Sequence, residues 1–136
     1  MGQFQELAKN APNLYIFVPN VYYSTALKLG LLLFTGTMVC WAWANWRTKI
    51  LLTQGKILLI ALTALVLVPF LLPKMHERYF YPADVFSYAV AILNPELWIL
   101  PVLYQFVSGF AYTSFLLGVP DDWVKAVALI NTFTVV

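Results

Sequence analysis

Charged positions fall in clusters along this chain, and between the clusters run long stretches with none. Leu29 to Trp46 carries 18 residues without Asp, Glu, Lys or Arg, Ile57 to Pro73 carries 17, and Leu97 to Pro120 carries 24. A helix crossing the hydrocarbon layer needs about 20 mostly apolar residues, within a range of roughly 17–25. These three stretches therefore predict membrane helices. Val85 to Leu93 is apolar but short, and reaches spanning length only if Phe80 to Ala83 and a buried Asp84 join it. Val124 to Val136 has 13 residues, about 20 Å of helix, against a hydrocarbon layer of roughly 30 Å. The pattern predicts an all-α polytopic bundle of four to five membrane helices. The spans are placed at about 25–46, 57–73, 80–94, 97–117 and 124–136, in one membrane domain covering 1–136. Residues 1–24, with the proline-punctuated run Asn10 to Asn20, read as a loop without the pattern of a secretory signal.

Composition supports this. Of 136 residues, 62% are hydrophobic and 10% charged, where a soluble domain carries about 25% charged. The net charge of +2 is too small for a nucleic-acid footprint. No segment shows the repeated apolar–polar alternation of a membrane barrel. Gly30, Gly36, Pro69, Pro101 and Gly109 inside spans suit membrane helices. Trp41, Trp43, Trp46, Trp98 and Trp123 crowd the span ends, as interfacial anchors do. Orientation is not settled by charge. Arg47, Lys49 and Lys56 form an acid-free basic loop that argues for cytoplasm, yet Lys9, Lys28, Lys74, Arg78 and Lys125 gather on the opposite side.

Polar chemistry concentrates between Leu72 and Asp84, where Lys74, His76, Glu77, Arg78 and Asp84 alternate with Tyr79, Phe80 and Tyr81. Ionisable groups near membrane depth are costly and point to function. If the segment is helical, Lys74 and Arg78 share a face at i,i+4 and can hold a phosphate. Glu77 then orients Arg78 or moves a proton, His76 bonds a phosphate oxygen, and Asp84 pairs with Arg78 across Pro82. The bland reading is that Lys74, Tyr79 and Tyr81 snorkel or anchor at the interface, and that Asp84 complements a helix N-terminus. One histidine and one cysteine, Cys40, exclude a disulfide within the chain and an all-His or Cys/His metal site. No cofactor is expected, and a divalent metal stays open.

PKMHERYFYPADV, Pro73 to Val85, resembles a signature near the C-terminal end of bacterial integral-membrane mannosyltransferases related to the second GPI-anchor mannosyltransferase. NAPNLYIFVP, Asn10 to Pro19, resembles a second recurring stretch of those proteins, in the same order. The resemblance implies a GT-C glycosyltransferase that takes a sugar from a polyprenyl-phosphate donor on the extracytoplasmic side of the bacterial inner membrane. It also implies that the chain is the C-terminal portion of a larger enzyme, partnered by N-terminal helices and the bilayer. On this footing Lys74, His76 and Arg78 bind the donor phosphate, while Tyr79, Tyr81, Asn13 and Tyr15 line the sugar or prenyl end. The usual loop acid of that class has no counterpart here. Glu77 and Asp84 are the nearby acids, ranked as orienting groups before catalytic ones. The resemblance puts the His76–Arg78 trio outside and Arg47–Lys56 in the cytoplasm. The alternative is a small non-catalytic helical membrane protein acting as a partner or assembly subunit.

Overall fold

The computed structural model describes residues 7–9, 11–48, 51–118 and 121–135, apart from the side chains of 9, 114, 115, 121, 122 and 133–135. Within these residues the chain is all-α, with five helices: α1 Tyr23–Arg47, α2 Gln54–Leu71, α3 Tyr81–Leu93, α4 Ile99–Leu117 and α5 Asp121–Val135. Every expected apolar segment has become a helix. Two are long and apolar enough to cross a membrane: α1 with the turn before it, Asn20–Arg47, and α2. At 1.5 Å per residue, α3 and α5 reach about 20 Å and fall short of the hydrocarbon thickness.

The helix ends follow from local sequence. Leu72 precedes Pro73, which disfavours helical backbone there, and α2 stops at Leu71 with Leu72 extended at φ −84°, ψ 129°. Pro82 sits in the first turn of α3 and Pro101 in that of α4, where a missing N–H costs nothing. Gly118 closes α4 at φ +63°, the left-handed position that glycine supplies at helix ends. Arg47 lies in the last turn of α1, where a cation complements the helix dipole, and Thr48 Oγ1 donates to Asn45 O at 3.0 Å.

Consecutive helices pack in order, α2 on α3, α3 on α4 and α4 on α5. Leu62, Val66, Ala83, Val90 and Tyr104 form the seam joining α2, α3 and α4. A second cluster, Ala11, Leu67, Phe70, Leu71 and Phe80, closes the outer end of α2, with Phe34, Met38 and Trp41 of α1 against it. Those α1 residues, with Gly30, recur every three or four positions and so make one stripe. Gly30 is the one buried residue of α1, and Leu29, Leu32, Val39, Trp43 and Trp46 lie open on its other faces.

The N-terminal loop covers one end of the bundle. Its strand β1, Ala8–Lys9, pairs in parallel with β2, Met75–His76. Asn131 Nδ2 in α5 donates to Pro12 O at 3.0 Å. The Tyr15 hydroxyl donates to Leu71 O at 2.8 Å, capping a carbonyl that the end of α2 leaves unpaired. Burial pushes the Tyr15 phenol above its ordinary value, so it stays a donor. Gly30 is required beside it, because an added Cβ would overlap the Tyr15 hydroxyl.

Gly30→Ala should therefore lower stability by about 1–3 kcal/mol, the usual cost of overpacking. Gly36→Ala, which meets nothing within 4 Å, should be neutral or stabilising by up to about 1 kcal/mol. Thermal unfolding in detergent compares the two. Because the Tyr15 pKa is raised, its contribution is present below the ordinary tyrosine value of 10.0 and fades as pH rises through the folded value. The stability gap between the parent and Tyr15→Phe, about 1 kcal/mol at neutral pH, should shrink in strongly alkaline buffer.

Candidate functional site

The two stretches singled out in the sequence meet at one end of the bundle. β1 lies beside the first, Asn10 to Pro19, of which Asn10 is outside the described residues, and β2 lies within the second. Their register is Ala8 with Met75 and Lys9 with His76, and Lys74 N donates to Leu7 O at 2.7 Å. Residues 67 positions apart in the chain are thereby fixed side by side.

This ladder overturns one expectation. Lys74 is not in a helical turn; it holds φ 65°, and Met75 and His76 after it are extended. The i,i+4 argument for a common Lys74–Arg78 face fails, because pairing with β1 keeps this segment from coiling. Lys74 is exposed and its ammonium lies 5.6 Å from the ring centre of Tyr23, at the start of α1. Arg78 belongs to the 3-10 turn Glu77–Phe80 and is also exposed.

The acids have gone the other way. Glu77 is 6% exposed and Asp84 3%. Asp84 does not pair with Arg78: its carboxyl turns into the seam between α3 and α4, where Ser108 Oγ donates to Oδ1 at 2.9 Å. Ser87 Oγ donates to the Asp84 carbonyl at 2.6 Å, one turn on. Ser108 was invisible as a partner in the sequence, being 24 positions away in a different apolar stretch. Among the described residues Glu77 has no ion pair with Arg78 either. Cations thus face outward and these carboxyl groups inward, and among the described residues no acid pairs with Lys74 or Arg78.

The aromatic residues divide similarly. His76 and Tyr79 have ring centres 6.2 Å apart at 50°, and Tyr79 and Tyr81 are exposed. Tyr79, with Met75, Pro82 and Phe86, walls a cavity of about 550 Å³ that runs down α2 along Ala64 and Val68. Tyr15 borders a different cavity of about 510 Å³, between the loop and α1, with Leu14, Val18, Leu29 and Leu33. Asn13 is fully buried; its Oδ1 accepts from Tyr15 N at 3.1 Å and its Nδ2 has no partner among the described residues. Asn13 therefore shapes the loop. Among the described residues no three His, Cys, Asp or Glu side chains gather as a metal site would require.

This end of the bundle therefore carries the exposed Lys74 and Arg78 together with an apolar cavity walled by their sequence neighbours Met75 and Tyr79. If Asp84 serves to join α3 to α4, Ser108→Ala should cost about 1–3 kcal/mol by stranding a buried acceptor. Asp84→Asn keeps an acceptor for Ser108 and should cost less than about 1 kcal/mol; unfolding midpoints of the purified variants check the order. No family model, curated protein or solved structure matches the chain.

Proposed function

We propose that this chain is the C-terminal membrane portion of a glycosyltransferase of the mannosyltransferase type. It moves a sugar from a polyprenyl-phosphate donor to an acceptor on the extracytoplasmic face of a bacterial inner membrane. The observation that carries this reading is that Lys74 and Arg78 are both exposed at the end of the bundle where Met75 and Tyr79 wall the 550 Å³ cavity. A polyprenyl phosphate is itself two-part, an anion on a long hydrocarbon. Arg offers a fork and Lys a point charge for the phosphate, and the channel takes the first isoprene units. In this reading His76, held by the β ladder beside Tyr79, bonds a phosphate oxygen, and Tyr79 and Tyr81 face the sugar.

The reading extends to the membrane. α4, about 28 Å long by its 19 residues, joins α1 and α2 as a span, with α3 and α5 as tilted or partial ones. The largely uncovered surface of α1 suits packing against further helices of the same enzyme. With Asp84 bonded to Ser108 and Glu77 buried, the base for transfer comes from outside this chain, and the two acids act as positioning groups. The same α1 surface also favours the second reading, a non-catalytic subunit that docks on a partner through α1.

Transfer from a polyprenyl-phosphate sugar, measured in membranes containing the chain and its upstream helices, separates the readings. Arg78→Ala should reduce transfer by at least about tenfold through loss of a charged hydrogen bond, with membrane expression unchanged. Full transfer by that variant would refute the donor site and leave the subunit reading.

A further inference from the structure

At the other end of the bundle, where α1 finishes and α2 begins, a cleft of about 370 Å³ opens between these two helices. Its α1 wall is Trp41 and Asn45, and its α2 wall is Lys56, Leu59, Ile60 and Thr63. Spacing of i, i+3, i+4 and i+7 places those four on one face of α2. The polar groups within are mostly spoken for. Asn45 Nδ2 donates to Trp41 O at 2.8 Å and Thr63 Oγ1 to Leu59 O at 2.9 Å. What remains is the Lys56 ammonium, exposed at the mouth and in no ion pair with any described residue.

The surroundings fix the sign of what fits. Lys56 is the cation that lines the cleft, whereas Arg47 ends α1 with its guanidinium 4.9 Å from the ring centre of Trp43, on a different face of α1 from Trp41 and Asn45. Glu96 is the acid at this end, in the turn between α3 and α4. That turn meets α2 through Asn94 against Gly55, about 100° around the helix from Lys56. The cleft thus joins an apolar floor to one exposed cation, Lys56, on the two helices that are long and apolar enough to cross a bilayer.

We propose that this cleft binds an anionic phospholipid, its phosphate held by Lys56 and one acyl chain lying between Trp41 and the Leu59–Thr63 face. The lipid fills the gap between α1 and α2 and so completes their packing. The proposal rests on the bilayer placement of these helices and is independent of sugar transfer, which is assigned to the opposite end.

The test uses the whole chain purified in detergent, offered equal amounts of phosphatidylglycerol and phosphatidylcholine, with retained lipid counted by native mass spectrometry. The expected result is preferential retention of phosphatidylglycerol by about fivefold, the scale of one basic residue at an anionic surface. Lys56→Ala should erase the preference and Lys56→Arg should restore it. Thr63→Leu, which fills the cleft without touching charge, should lower retention of both lipids. Lys28→Ala, at the far end of α1, should change neither. Equal retention of the two lipids by the parent, or a preference that survives Lys56→Ala, would overturn the proposal. So would full displacement of the lipid by inorganic phosphate, which would mark a site for a free anion.

Discussion

The hydroxyl of Tyr15 reaches 56 positions along the chain to the last carbonyl of α2, and the outer end of the molecule is organised around that reach. It seats the N-terminal loop on the bundle, with the Tyr15 ring against α1 at Gly30, at the same end where β1 pairs with β2. A carbonyl at a helix end in an apolar setting is expensive to leave unpaired. One phenol therefore solves a backbone problem and positions the loop at once. Asn131 does the same for Pro12 from the side of α5, so the loop is held from two helices that are remote in sequence.

The consequence for the site is a separation of charge by depth. Six residues after Arg78, Asp84 is already inside the α3–α4 seam. Burying a carboxyl costs several kcal/mol unless it is bonded, and Ser108 supplies that bond from the neighbouring helix. A cluster dense in both signs along the chain becomes, once folded, a positive rim over an apolar interior.

How much of this could be read from the amino-acid order depends on range. Helices showed themselves because apolar runs and prolines are local signals: Pro73 marked the end of α2, and the five segments stand close to where hydropathy put them. The special character of Leu72 to Asp84 was legible from its charge density. Its conformation was not. A two-residue parallel ladder has no periodicity to detect, and nothing near Lys74 announces that Ala8 and Lys9 will pair with the residues after it. The Asp84–Ser108 bond was hidden for the same reason, because a single serine in an apolar run carries no pattern. Arg78 looked like the obvious partner of Asp84 only because the chain was being read in one dimension.

α1 hangs beside the other helices rather than among them, touching them along one stripe from Gly30 to Trp41. Its tryptophans and Arg47 cluster at one end, with the ring of Trp43 beneath the guanidinium. Such a helix takes its tilt from where its interfacial groups settle more than from its neighbours. In a bilayer, thickness would act first on α1, which is tied along one stripe, while α2, α3 and α4 share a packed seam.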